Sequence, residues 1–179
     1  MILPDTMRLI FGPILTITPL FQYGPAHRLE QALAFGATEI ISIDEANTIE
    51  ARRRRVMDST AGFGADIVIE CVGHPAAVPE GLELCRDGGA YLVLGQYADA
   101  GNVSFNPHTI TRKQLRLAGS WGFEPRHVDR ALRLLERPNY RELFERQVTH
   151  RYPLTQVNDA LDCVRRLQSG KALILPAAG

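Results

Sequence analysis

The feature that most restricts the fold is a set of short apolar runs separated by segments of helical period. Ile67-Val68-Ile69 and Tyr91-Leu92-Val93-Leu94 carry no charged residue and show no polar alternation. A strand with one face in water alternates apolar and polar residues. One that is apolar throughout is covered on both faces, as in a parallel sheet with helices above and below. Parallel neighbours need crossover connections, and the intervening segments are long enough to supply right-handed helical ones.

The spacing predicts a helix over Ala26 to Phe35, where Leu29 and Leu33 share a face, Pro25 suits the first turn and Gly36 the C-terminal cap. A strand Glu39 to Asp44 follows, then a helix with Ala46, Ile49, Val56 and Met57 on one side, ending near Thr60. Next come a buried strand Asp66–Glu70, a helix Pro75–Cys85, a turn at Asp87-Gly88-Gly89 and a strand Ala90–Leu94. After an irregular link, Gln96 to Arg112, the pattern gives a strand Leu115–Ser120 and a helix Pro125–Glu136. The remainder reads as a strand Gln147–Arg151, a helix Leu154–Gln168 and a terminal strand Ala172–Leu175. The expected class is α/β, a Rossmann-like parallel sheet flanked by helices.

Charge separates the functional classes. Twenty Lys and Arg balance twenty Asp and Glu, so the net charge of zero argues against a nucleic-acid binder. The run Arg52-Arg53-Arg54-Arg55 winds around a helix and reads as a solvated face, not a phosphate site. Three cysteines, Cys71, Cys85 and Cys163, lie far apart without a CxxC; they suit buried thiols of a reducing, cytoplasmic compartment. Residues 1–23 are atypical, with one strand expected at Ile14–Thr18. The apolar run Leu9–Phe21, interrupted by Pro13 and Pro19, is too short for a membrane span and lacks a cleavage site, so no membrane association is expected.

In an open parallel sheet, ligands bind beyond the carboxyl ends of the strands. Those ends are Asp44 onward, Cys71-Val72-Gly73-His74, Gly95-Gln96-Tyr97 and Ser120-Trp121-Gly122. Glycine there admits a flat ligand against the backbone, and it serves a tight turn equally well. A dinucleotide-binding GxGxxG is not found. Gly62-Phe63-Gly64 comes nearest, but it lacks the third glycine and leads into a strand instead of out of one. The five histidines are dispersed, and Cys71 with His74 falls short of the three ligands a catalytic zinc needs. No GxSxG occurs, and Lys171 serves a helix end as readily as a phosphate.

Several ordered segments resemble zinc-type alcohol dehydrogenases of the medium-chain dehydrogenase/reductase family. They are Ala26–Glu30 with Ala34–Thr38, Gly64–Gly73, Gly88–Gly95, Lys113–Gly122, and Val148–Leu154 through Gly170-Lys171-Ala172. The resemblance covers roughly residues 24–175 and implies NAD(P) as cofactor. By that resemblance Gly73 and His74 lie beside the adenosine half, and Arg28 near the adenine ribose. Leu94, Gly95 and Gln96 form the strand end beneath the nicotinamide, and Ser120 with Trp121 occupies the next cofactor and substrate positions. Leu117–Ser120 resembles the edge through which such enzymes form dimers. The implied division is an atypical segment 1–23, a partial Rossmann domain 24–146, and a strand-helix-strand 147–179 belonging to the family's catalytic domain.

The departures bear on activity. The family's zinc ligands, first Rossmann strand and glycine-rich loop find no match here, Tyr23 stands where NAD-specific members carry an acid, and Ile174 replaces a basic residue. The chain is therefore expected to bind NAD(P) weakly or not at all, to hold no metal, and to need a partner chain for turnover. Two other classes compete: a non-catalytic Rossmann-like module that dimerises through its sheet edge, and an S-adenosylmethionine-dependent methyltransferase.

Overall fold

A computed structural model describes residues 20–23 and 25–176; the strand expected at Ile14–Thr18 lies outside them. The described residues form two compact units, one built from Ile43–Gly122, the other from residues up to Ser42 together with the segment from Phe123 onward. Every strand pairing is parallel, as the sequence demands.

In the first unit, β3 (Ala65–Glu70), β4 (Cys85–Val93) and β5 (Arg116–Gly119) form a three-stranded sheet in that order. Helices α2 (Ile49–Ser59), α3 (Ala77–Leu84) and α4 (His108–Arg112) connect or flank them. Thr48 caps α2 by accepting the Ala51 N–H at 3.1 Å, the usual role of a hydroxyl at a helix start. The core is Leu82, Cys85 and Tyr91, with Val68, Val78, Val93, Ile110 and Leu115 packed around it. Gly81 belongs to this packing: its helical backbone lies directly on the Tyr91 ring, leaving no room for a Cβ.

In the second unit, β1 (Leu20–Tyr23) pairs with β2 (Glu39–Ser42), and α1 (Ala26–Ala34) crosses between them. Further along the chain lie α5 (Pro125–Leu135), α6 (Pro138–Gln147), β6 (Val148–Pro153), α7 (Val157–Arg165) and β7 (Lys171–Leu175), with β6 paired to β7. A capping box joins Glu124 and His127 at the start of α5, whose first turn also contains Pro125.

Several local expectations are corrected. Asp87-Gly88-Gly89 is not a separate turn but part of β4, where the pairing shifts between Ala65 and Ile67 and a bulge absorbs the extra residues. Helix α6 stands where the spacing predicts no element. The final helix is shorter, with a 3-10 turn at Leu154–Gln156 preceding α7. Strand β3 is not buried throughout: Val68 faces the core, while Ile67 and Ile69 are 50% and 56% exposed. The cause is topological. Among the described residues β3 pairs only with β4, and its cover comes from the α3 side. Cys71 is exposed, whereas Cys85 and Cys163 are buried.

The arginine run also divides. Arg53, Arg54 and Arg55 are exposed, as expected of a solvated face. Arg52 instead turns inward and grips Glu80 of α3 with two bonds of 2.6 and 2.9 Å, adding a 2.8 Å bond to the Ala46 carbonyl. Both side chains are only 12% exposed, so this fork ties α2 to α3 far better than a surface ion pair would.

The buried core has an alkaline signature. Burial pushes the Cys85 thiol up from 9.0 to about 11, so the folded chain keeps a proton that the unfolded chain releases. From this group, stability falls as pH rises between those two values, by roughly 2–3 kcal/mol in all. Burial raises Tyr91 in the same sense, while Lys113, lowered by burial, acts with the opposite sign. Comparing urea midpoints across this range for the wild type and Cys85→Ala isolates the thiol. A shallower decline in the variant is expected; parallel curves would refute the assignment.

Candidate functional site

The carboxyl ends of β3, β4 and β5 converge on one rim of the first unit, and a single side chain organises it. Glu70, the last residue of β3, is 4% exposed. Its Oε1 accepts the N–H groups of Val72 and Gly73 at 2.6 and 2.8 Å, and its Oε2 accepts Gln96 Nε2 at 3.3 Å. Its backbone carbonyl accepts the N–H groups of Leu94 and Gly95 at 2.9 and 3.0 Å. Gln96 Nε2 also reaches the His74 carbonyl at 3.0 Å. The loops after β3 and β4 are thereby laced together. The acid at the end of an apolar run was visible in the sequence; its partners were not, because Gln96 is 26 positions away.

Two glycines make this closeness possible. Gly73 has φ +78°, and a Cβ there would stand 2.8 Å from the Gly95 carbonyl oxygen. A Cβ on Gly95 would meet the Gly73 nitrogen, with Glu70 Oε1 at 2.5 Å and the Cys71 carbonyl carbon at 2.7 Å. Both positions exclude any other residue without movement of the backbone. Gly119 differs: it ends β5 with nothing within 4 Å of its Cβ direction, leaving an open shelf.

Seven of the eight residues singled out from the sequence lie on this rim. Gly73, Gly95 and Gln96 are half-buried, and His74, Leu94, Ser120 and Trp121 are exposed. The Ser120 N–H donates to the Val93 carbonyl at 3.1 Å, continuing the β4–β5 ladder. Trp121 Nε1 donates to the Tyr97 carbonyl at 3.0 Å, so an indole that is 82% exposed is nonetheless held in place. His74 Nδ1 accepts the Ala76 N–H at 3.3 Å and helps shape the entry to α3. Arg28 lies in the second unit, on α1, where its Nη2 donates to the Ser169 carbonyl at 3.1 Å.

The Gly62-Phe63-Gly64 stretch acts as a turn. Both glycines have positive φ, and the Gly64 N–H donates to Thr60 Oγ1 at 2.9 Å on the way into β3. Lys113 carries a role that no local pattern in the sequence signals: it is 4% exposed and donates to the carbonyls of Leu82, Glu83 and Cys85, each at 2.9 Å. It closes the C-terminal end of α3, where the helix dipole favours a cation. Among the described residues no group of three or more His, Cys, Asp and Glu side chains is placed to hold a metal ion, and no helix is long and apolar enough to cross a membrane.

The fold is an α/β parallel sheet, and in that class ligands bind beyond the carboxyl ends of the strands, where this rim lies. Comparison with known proteins makes this specific. The zinc-binding dehydrogenase pattern matches residues 24–137, and the chain belongs to that family, within its NAD-binding part. It is 33% identical over 138 residues to 5-exo-hydroxycamphor dehydrogenase of Pseudomonas putida, covering 77% of this chain and 38% of the relative. Against L-threonine 3-dehydrogenase of Symbiobacterium thermophilum the identity is 31% over 150 residues, covering 84% and 41%. An alcohol dehydrogenase structure from Thermotoga maritima superposes with a TM-score of 0.78 at 30% identity, covering 86% of this chain and 42% of that one. The chain thus spans about two-fifths of the length of these relatives.

Proposed function

We propose that this chain is the nucleotide-binding part of an NAD(P)-dependent zinc-type alcohol dehydrogenase, acting between an alcohol or carbonyl compound and a nicotinamide. The observation that supports the reading best is the open backbone at Gly119, paired with Val93 beside the β4 end at Leu94 and Gly95, where a flat ring can lie. A bound nicotinamide would supply the hydride chemistry. The chain's own residues would do the positioning: the β4 and β5 strand ends support the ring, Trp121 walls one side, and Gly73 with His74 borders the adenosine half. Gln96 contributes through its backbone, since its side-chain amide is committed to Glu70 and His74.

Zinc does not fit the described residues, whose donor groups nowhere gather into a ligand set. No step through a metal is assigned to this chain. The substrate pocket and metal would come from the remainder of the length seen in the relatives, carried on a partner chain or on further polypeptide. Residues 147–179 would belong with that catalytic part, the β5 edge would serve a homodimer, and the thiols suit a cytoplasmic setting. The chain alone is expected to bind NAD(P) weakly and to turn nothing over.

The sequence contains a single tryptophan, which makes the test direct. Energy transfer from Trp121 to NADH or NADPH is expected to saturate in the millimolar range, with AMP competing. Absence of transfer at saturating cofactor, from a cooperatively folded sample, would reject the reading.

A further inference from the structure

We propose that Glu70 is the positioning residue of this site. Resting on the cofactor reading above, it sets affinity for the nicotinamide dinucleotide by holding the β3 and β4 loops in one arrangement. A carboxylate that is 4% exposed is costly unless its oxygens are satisfied, and the donors on this one are uncharged: two backbone N–H groups and one amide. A turn by itself would need only one acceptor, such as a serine or asparagine oxygen. Glutamate supplies two oxygens pointing in different directions, and here each takes a different loop. Oε1 gathers Val72 and Gly73; Oε2 takes Gln96, which passes the link on to the His74 carbonyl. Because Gly73 and Gly95 are in backbone contact, any shift of one loop displaces the other. Buried below the rim, the residue acts by fixing the groups that would meet the cofactor.

The network also explains why glutamine is a sharp probe at this position. Glu70→Gln keeps the size and one oxygen for the Val72 and Gly73 N–H groups, but turns an NH2 toward the Gln96 amide. If Gln96 flips to offer its oxygen, that oxygen faces the His74 carbonyl instead. One link is lost in either arrangement. Gln96→Ala cuts the same link from the other side, together with the bond to the His74 carbonyl, and leaves the Oε1 bonds intact.

The experiment uses the full chain, with NADH binding read by energy transfer from Trp121 and folding read by thermal midpoint. Both single variants are expected to weaken NADH about tenfold, through the loss of a bond to a charged group, with midpoints lowered by roughly 2–12 °C and unfolding still cooperative. The double variant is expected to bind no worse than Gln96→Ala alone, because that substitution already removes both side-chain bonds of Gln96, the one to Glu70 included. Amide exchange should quicken at residues 72–74 and 94–96 together in each single variant. Affinities equal to wild type, or losses that add in the double variant, would overturn the role of Glu70 while the cofactor reading stands. A wild type that shows no transfer to NADH would overturn both, and is recognised by that silence.

Discussion

Lys113→Met is expected to be the most damaging single substitution in the first unit. The ammonium group is the shared donor to three carbonyls, those of Leu82, Glu83 and Cys85, all at 2.9 Å, in a setting where the lysine is 4% exposed. Methionine fills the volume of the stem but donates nothing. Each orphaned acceptor costs about 1–3 kcal/mol where water does not reach it, and the last turn of α3 also loses its favourable cation. A loss of at least about 3 kcal/mol follows, roughly 6–12 °C in the melting temperature of a chain this size. The cost falls on the junction where α3 passes into β4, so the Leu82, Cys85 and Tyr91 cluster should loosen with it. Lys113→Arg tests the geometry: its planar fork keeps the charge but does not reproduce three converging bonds from one nitrogen, so partial rescue is expected. Urea unfolding of the three proteins checks this, and a methionine variant within about 1 kcal/mol of wild type would show that the carbonyls find other donors.

Gly95→Ala is expected to weaken cofactor binding severely through a single methyl group. The added carbon would lie 2.5 Å from Glu70 Oε1 and 2.7 Å from the Cys71 carbonyl carbon, and nearer still to the Gly73 nitrogen. These neighbours are backbone or a locked carboxylate, so the contact is relieved only by parting the two strand-end loops. Overpacking of this kind costs about 1–3 kcal/mol in stability. The larger effect is on the site, because the separation breaks the Glu70 bonds to Val72 and Gly73 and tilts the shelf beside Leu94. NADH affinity is expected to drop on the order of a hundredfold, the effect of losing two bonds to a charged group at about 1.5 kcal/mol each. Gly119→Ala is the control: nothing lies within 4 Å of its Cβ direction, so it should fold as wild type and lose affinity only through occupation of the shelf. Equal NADH binding by Gly95→Ala and wild type would place the cofactor elsewhere.

The class of fold and the order of most of its elements are legible in the sequence, helix α6 being the exception. Apolar runs without alternation and helices at 3.6-residue spacing are local signals, so the parallel α/β architecture and most boundaries could be read before any coordinates, as could the ordered motifs that carry the family resemblance. The rim residues were legible for the same reason: a strand's end in a parallel sheet marks the rim whatever lies beside it. What the sequence left open depended on which distant residues meet. Only the tertiary structure brought Arg52 to Glu80, Lys113 to the end of α3, and Gln96 to Glu70. It also decided that Ile67 and Ile69 stand half in water although their sequence asks for cover, since exposure is set by the neighbours a strand has and not by its own composition. A buried charge is costly until its partners arrive, and those partners come from across the fold, where no local period points to them.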